Sequence, residues 1–249
     1  MRAPIRPRST SRRHALSVGV VGLLYLLVVL AVLLDGPLVQ LDWTLRRLRP
    51  DQHWPELRPL LDVWIVAGQR GPSAIAACAW LGWRCHRLRT VRPLLLLGTA
   101  LLLLNTTVGA VKILTGRLGP HHARYPGSPE LFLGGTAFPS GHTANAVVTW
   151  GALAYLAVRW RRTGVLLGTV TAVTVGLTTV YLGTHWVSDV LAGWAAGALV
   201  LLALPLAEPL VTAADRRITA LRRPVSPASS ARPARPGRPG SAGPRGTPW

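Results

Sequence analysis

The chain has 249 residues and sets 28 lysines and arginines against 9 acids, a formal net charge of +19, with 49% of its residues apolar. The apolar residues fall in blocks of about 17–25, the length a helix needs to cross a hydrocarbon layer of about 30 Å. That excludes an ordinary soluble domain. The arginines lie between and beyond the blocks rather than on one amphipathic face, which argues against nucleic acid as a partner.

Residues 1–14 are basic and prolyl, and Ser11-Arg12-Arg13 before an apolar run has the look of a twin-arginine export signal. The run over 15–34 is too long for a signal core and lacks a small-residue cleavage site after it, so it reads as a retained anchor. Residues 35–59 form a mixed loop in which Trp43 and Trp54 suit a membrane interface. A second span covers 60–83, and Asp62, Gln69, Arg70 and Pro72 interrupt it, predicting a bend or an interfacial upper part. Four more spans follow over 93–111, 143–158, 164–183 and 185–210. Cys78 and Cys85 give no disulfide framework. From 212 onward the chain turns to Pro, Gly, Ser, Ala and Arg, a composition that reads as a disordered basic tail with anionic headgroups as its candidate partner. The expected fold is all-α, a six-span transmembrane helical bundle over 15–211 flanked by a basic N-terminus (1–14) and the tail (212–249).

Six spans place both termini on one side of the membrane. The segments on that side carry most of the basic residues, which predicts cytoplasmic termini. Lys112 then stands where the third span emerges on the outer face, His142 where the fourth begins, and His185 where the fifth has returned. Antiparallel threading therefore predicts that three stretches distant in sequence meet. Ionisable groups at such depth are costly and usually functional.

Each stretch has its own chemistry. Pro139-Ser140-Gly141-His142 opens a helix, whose free N–H groups and positive end can hold an anion. Gly141 allows close backbone approach, and Ser140 adds a hydroxyl donor. His185 and Asp189 are four apart, hence on one helical face, where the carboxylate can accept the Nδ1 proton and leave Nε2 as nucleophile. His142 then serves as general acid. Lys112 is the one lysine in the chain, placed where a compact cation would serve a phosphoryl group. Zinc ligation by His142, His185 and Asp189 is the alternative use of the same residues, and His121-His122 reads as part of a solvated loop.

These stretches resemble the three motifs of the type 2 phosphatidic acid phosphatase (PAP2) superfamily, K-x6-R-P, P-S-G-H and S-R-x5-H-x3-D. Here they run from Lys112 through Arg117 to Gly119-Pro120, over Pro139-Ser140-Gly141-His142, and from Thr178-Thr179 through His185 to Asp189. The resemblance covers about residues 60–200. It implies a core like that of the histidine phosphatases and haloperoxidases. It further implies a phosphohistidine on His185 held by Asp189, with His142 as acid and then base. Lys112, Arg117, Ser140 and Gly141 would grip the phosphoryl oxygens, with no cofactor and no metal. Gly119 and Thr179 depart from the pattern, each standing where the family has an arginine. Arg117, Arg124 and Arg70 are the candidates to supply the missing charge, and for Arg70 a pairing with Asp62 is the competing use. The resemblance implies a bacterial plasma-membrane enzyme that cleaves a lipid phosphate or lipid pyrophosphate on the outer side. A silent relative that binds lipid phosphate or a partner is the alternative, and a small transporter a more distant one.

Overall fold

The computed structural model describes residues 8–221, apart from 124, 126 and 158. The anticipated N-terminal extension before residue 8 and the tail beyond 221 lie outside the described residues. The described chain is helical: α1 (Arg8–Leu33), α2 (Pro37–Leu48), α3 (Pro50–His53), α4 (Arg58–Trp64), α5 (Arg70–Leu88), α6 (Arg92–Thr115), α7 (Gly141–Leu156), α8 (Arg161–Tyr181) and α9 (Val187–Leu221). Among the described residues, α1, α6, α8 and α9 are each long and apolar enough to cross a membrane. The expected second and fourth spans are shorter. α7 has 16 residues, about 24 Å at 1.5 Å per residue, and α5 is a 19-residue helix that a 3-10 turn (Ile65–Gly68) and Gln69 separate from α4.

The bundle is built around α7. Ala100, Leu104 and Val108 of α6 share a face at a spacing of four, as do Ala144 and Val148 of α7 and Ala196, Val200 and Leu204 of α9. All are buried in one cluster. Glycines let α9 come close to α7. A β-carbon on Gly193 would lie 2.8 Å from the Ser140 carbonyl oxygen, and one on Gly197 would lie 2.7 Å from Val147. Close backbone approach of this kind is how helices associate where lipid offers no hydrophobic driving force. By contrast, α1 turns Leu23, Leu24 and Leu27 outward, an apolar face suited to acyl chains.

Two stretches differ from the expectations. Residues 35–59 contain α2, whose start is set by Pro37 at its first turn and which buries Val39 and Asp42. The first ten residues of the expected tail are not tail, because α9 runs through 212–221 as helix. Asp215 explains this extension: it accepts hydrogen bonds from the Val91 amide at 2.7 Å and the Thr90 hydroxyl at 2.9 Å, where α6 starts. Arg92 pairs with Glu208 at 2.5 Å on the same end. That end of the bundle is tied by charge; the other end holds the cavity.

Candidate active site

Alternate helix ends gather at one place. α5 begins there, α6 ends, α7 begins, α8 ends and α9 begins, so Arg70, Lys112, Gly141, His142 and His185 line one cavity of about 660 Å³. The rings of His142 and His185 lie 5.9 Å apart, edge to face. His185 Nδ1 sits 3.3 Å from Asp189 Oδ2. With the proton on Nδ1, Nε2 carries the free lone pair.

Asp189 is the third residue of α9 and reaches back to the Trp186 amide at 3.0 Å, so one carboxylate caps the helix and holds the imidazole. Its other oxygen accepts from Arg117 Nη1 at 2.9 Å. Arg117 is 1% exposed, and its fork is filled. Nη2 pairs with Asp42 at 3.0 Å, Nε donates to Glu130 at 2.9 Å, and Nη1 donates to the Ser188 hydroxyl at 2.6 Å. The Arg117 guanidinium also lies 5.4 Å from the Trp186 ring. Asp42 in turn accepts the Ser188 amide at 2.9 Å, a free donor at the start of α9.

Burial works against the Arg117 charge, but Asp189, Asp42 and Glu130 outweigh it and hold the guanidinium above its ordinary value. Burial raises the Asp42 and Glu130 carboxyls despite the pull of Arg117. Oε1 of Glu130 is buried with no hydrogen-bond partner among the described residues.

This arrangement puts Arg117 behind the site rather than in it. The expectation that Arg117 grips phosphoryl oxygens gives way to a positioning role, because its donors are spent on three carboxylates and a hydroxyl. Ser140 is similar: it is fully buried, and its oxygen accepts from the Thr143 amide at 3.3 Å and the Thr143 hydroxyl at 2.9 Å, capping α7. Gly141 and Lys112 do face the cavity. The Lys112 ammonium donates to the Thr136 carbonyl and lies 3.5 Å from that of Ala137, which steers it over the cavity floor.

Gly119 also lines the cavity, so the position where the motif has an arginine contributes only backbone. Thr179 is buried, and its carbonyl takes the Thr184 amide at 3.0 Å, closing the turn that delivers His185. His122 belongs to the cavity wall rather than to a loop apart from it. Asp62 lies 3.9 Å from Arg58, so it is not the partner of Arg70. Among the described residues no three His, Cys, Asp or Glu converge as metal ligands. Sequence reasoning missed Asp42, Glu130 and Ser188. The only signal for Asp42 was an acid four residues before Arg46 in an otherwise apolar stretch, too weak to single out.

Comparison with known proteins bears on this geometry. Residues 93–211 match the PAP2 superfamily. Phosphatidylglycerophosphatase B of Bacillus subtilis (strain 168) is 38% identical over 71 residues, a stretch covering 26% of this chain and 35% of that protein. The matched stretch thus spans about a third of the relative's length. The crystal structure of a transmembrane PAP2 type phosphatidylglycerolphosphate phosphatase from Bacillus subtilis superposes with a TM-score of 0.59 at 24% identity. It covers 81% of this chain and 96% of that one, so the two share a fold.

Proposed function

We propose, from the match of residues 93–211 to the PAP2 superfamily, that the protein belongs to that superfamily and is an integral membrane phosphatase acting on a lipid phosphate or lipid pyrophosphate. The observation that carries the proposal is the pair of imidazoles 5.9 Å apart at one cavity, one of them backed by a carboxylate. In the proposed reaction Nε2 of His185 attacks phosphorus as the bond to the leaving oxygen breaks. His142 gives that oxygen a proton. The phosphohistidine is then hydrolysed by a water whose proton His142 takes, which returns both rings to their starting state. Asp189 keeps the His185 proton on Nδ1 and steadies the charge that builds there. Gly141 amide, Lys112 and the start of α7 supply positive potential to the phosphoryl oxygens.

A six-span topology with cytoplasmic termini puts the cavity at the outer leaflet of a bacterial plasma membrane, where a lipid substrate reaches it sideways. The relative's name makes phosphatidylglycerophosphate the first substrate to try, with phosphatidic acid and polyprenyl pyrophosphate beside it. The test is phosphate release from that panel by purified protein in EDTA, alongside His142→Ala. Release by the wild type and its loss in the variant support the proposal. No release from any lipid, with phosphate binding intact, favours the silent relative instead.

A further inference from the structure

We propose that Arg70 is the guanidinium that grips the transferred phosphoryl group, and that α7 builds a break in the neighbouring helix in order to present it. This rests on the phosphatase reading above and names a residue outside the three motifs.

Arg70 is the first residue of α5. It follows Gln69, whose backbone is extended (φ −72°, ψ 137°), after a 3-10 turn over Ile65–Gly68. A β-carbon on Gly141 would lie 3.3 Å from Arg70 Nη2 and 3.9 Å from Lys112 Nζ, so both cations hang over the same patch of bare backbone. That patch opens the helix that carries His142. Among the described residues the Arg70 side chain makes no ion pair or hydrogen bond. A cation at a helix N-terminus, next to a second cation and a second helix N-terminus, is in an unfavourable place in the free protein. A phosphate dianion bound between them reverses every one of those terms.

The break that puts Arg70 there is constructed. The side-chain amide of Asn145 donates to the Gly68 carbonyl at 3.1 Å and to the Ser73 hydroxyl at 2.9 Å. Ser73 donates to the Gln69 carbonyl at 2.5 Å, and the Trp150 indole to the Ala67 carbonyl at 3.1 Å. The Ala67 and Gly68 carbonyls, which the break takes out of the helical ladder, are thereby answered by α7 side chains, while the Gln69 carbonyl also takes the Ser73 amide at 3.2 Å. Asn145 is fully buried and takes the Thr149 hydroxyl at 3.4 Å. It sits three residues after His142 on α7, so the element that places the acid also places the cation. Gly68 keeps the two in register, because a β-carbon there would come within 3.0 Å of the His142 carbonyl oxygen. With Gly119 offering only backbone to the cavity and Thr179 buried in a turn, Arg70 is the guanidinium left facing it among the described residues.

The experiment compares wild type, Arg70→Gln, Arg70→Lys, Asn145→Ala and His185→Ala. It reads kcat/KM for the lipid phosphate that the panel identifies, and the inorganic phosphate concentration that half-protects the protein from thermal unfolding. Arg70→Gln should lower kcat/KM about 10²–10³-fold and raise the phosphate midpoint about tenfold or more, with the ligand-free unfolding temperature unchanged or raised. Arg70→Lys should fall between, since it restores charge without the planar fork. Asn145→Ala should move kcat/KM in the same direction by loosening the break. Wild-type values for Arg70→Gln, alongside an inactive His185→Ala, overturn the assignment of Arg70 while the phosphatase reading stands. A wild type that neither releases nor binds phosphate overturns both.

Discussion

The backbone amide of Ser140 donates to the carbonyl oxygen of Asp189 at 2.9 Å. This bond ties the turn before His142 to the first turn of α9, and so holds together the backbones that carry the two imidazoles. The Ser140 hydroxyl faces inward to Thr143, away from the cavity. Ser140→Ala should therefore remove a helix cap, lowering stability by about 1 kcal/mol, and leave KM little changed. Thermal unfolding in detergent and steady-state kinetics on the same preparation separate this from a phosphate-binding role, in which KM would rise and stability hold.

Arg117 sits among three carboxylates at 1% exposure. Arg117→Leu strands them, and breaking one member of a buried ionic cluster costs about 3–5 kcal/mol. The expected result is a protein with a sharply lowered unfolding temperature. A well-folded Arg117→Leu that has merely lost phosphate affinity would return Arg117 to the binding site.

Glu130 gives the cluster a pH dependence. Burial raises its carboxyl above the ordinary value of 4.5. For an acid with a raised folded pKa, the contribution to stability is complete below the unfolded value and is lost as pH rises through the folded one. Stability should thus fall as pH climbs from about 4.5. Glu130→Gln keeps an oxygen for Arg117 and removes the titrating group. It should flatten the decline, as unfolding temperatures measured across pH would show.

Gly68 is where the broken helix touches the site. A β-carbon there would lie 2.5 Å from Val175 Cγ1 and 3.0 Å from the His142 carbonyl, contacts that force one neighbour to move. Since a shift of about 1 Å in a catalytic group can cost about 10²-fold, Gly68→Ala should lower kcat by that order. Gly71, with open space around the same position on the next turn, provides the matched control: Gly71→Ala should be kinetically silent.

Much of the site was legible because its chemistry is local. His185 and Asp189 lie one helical turn apart, Ser140-Gly141-His142 opens a helix, and alternation of apolar spans brings their ends together. Arg117 reads as a phosphate donor in the sequence because its partners Asp42 and Glu130 come from an earlier helix and a later loop whose burial no periodicity announces. The interruption around Gln69 and Arg70 was visible as polar residues in an apolar run. Its purpose was not, since that depends on Asn145 reaching across from α7. Composition predicts an earlier end for α9, since Ala, Asp and Arg after residue 212 resemble a tail. Only the capping of α6 by Asp215 shows why they stay helical.

The central claim is that His185 takes the phosphoryl group onto its ring nitrogen. Rapid-quench mixing of purified protein with a radiolabelled lipid phosphate, followed by peptide mapping under alkaline conditions, tests it most directly. The account predicts an acid-labile, alkali-stable label on the peptide containing His185, formed and lost at rates compatible with turnover and absent from His185→Ala. Full-rate phosphate release by His185→Ala, or a label that maps to any other residue, would contradict it.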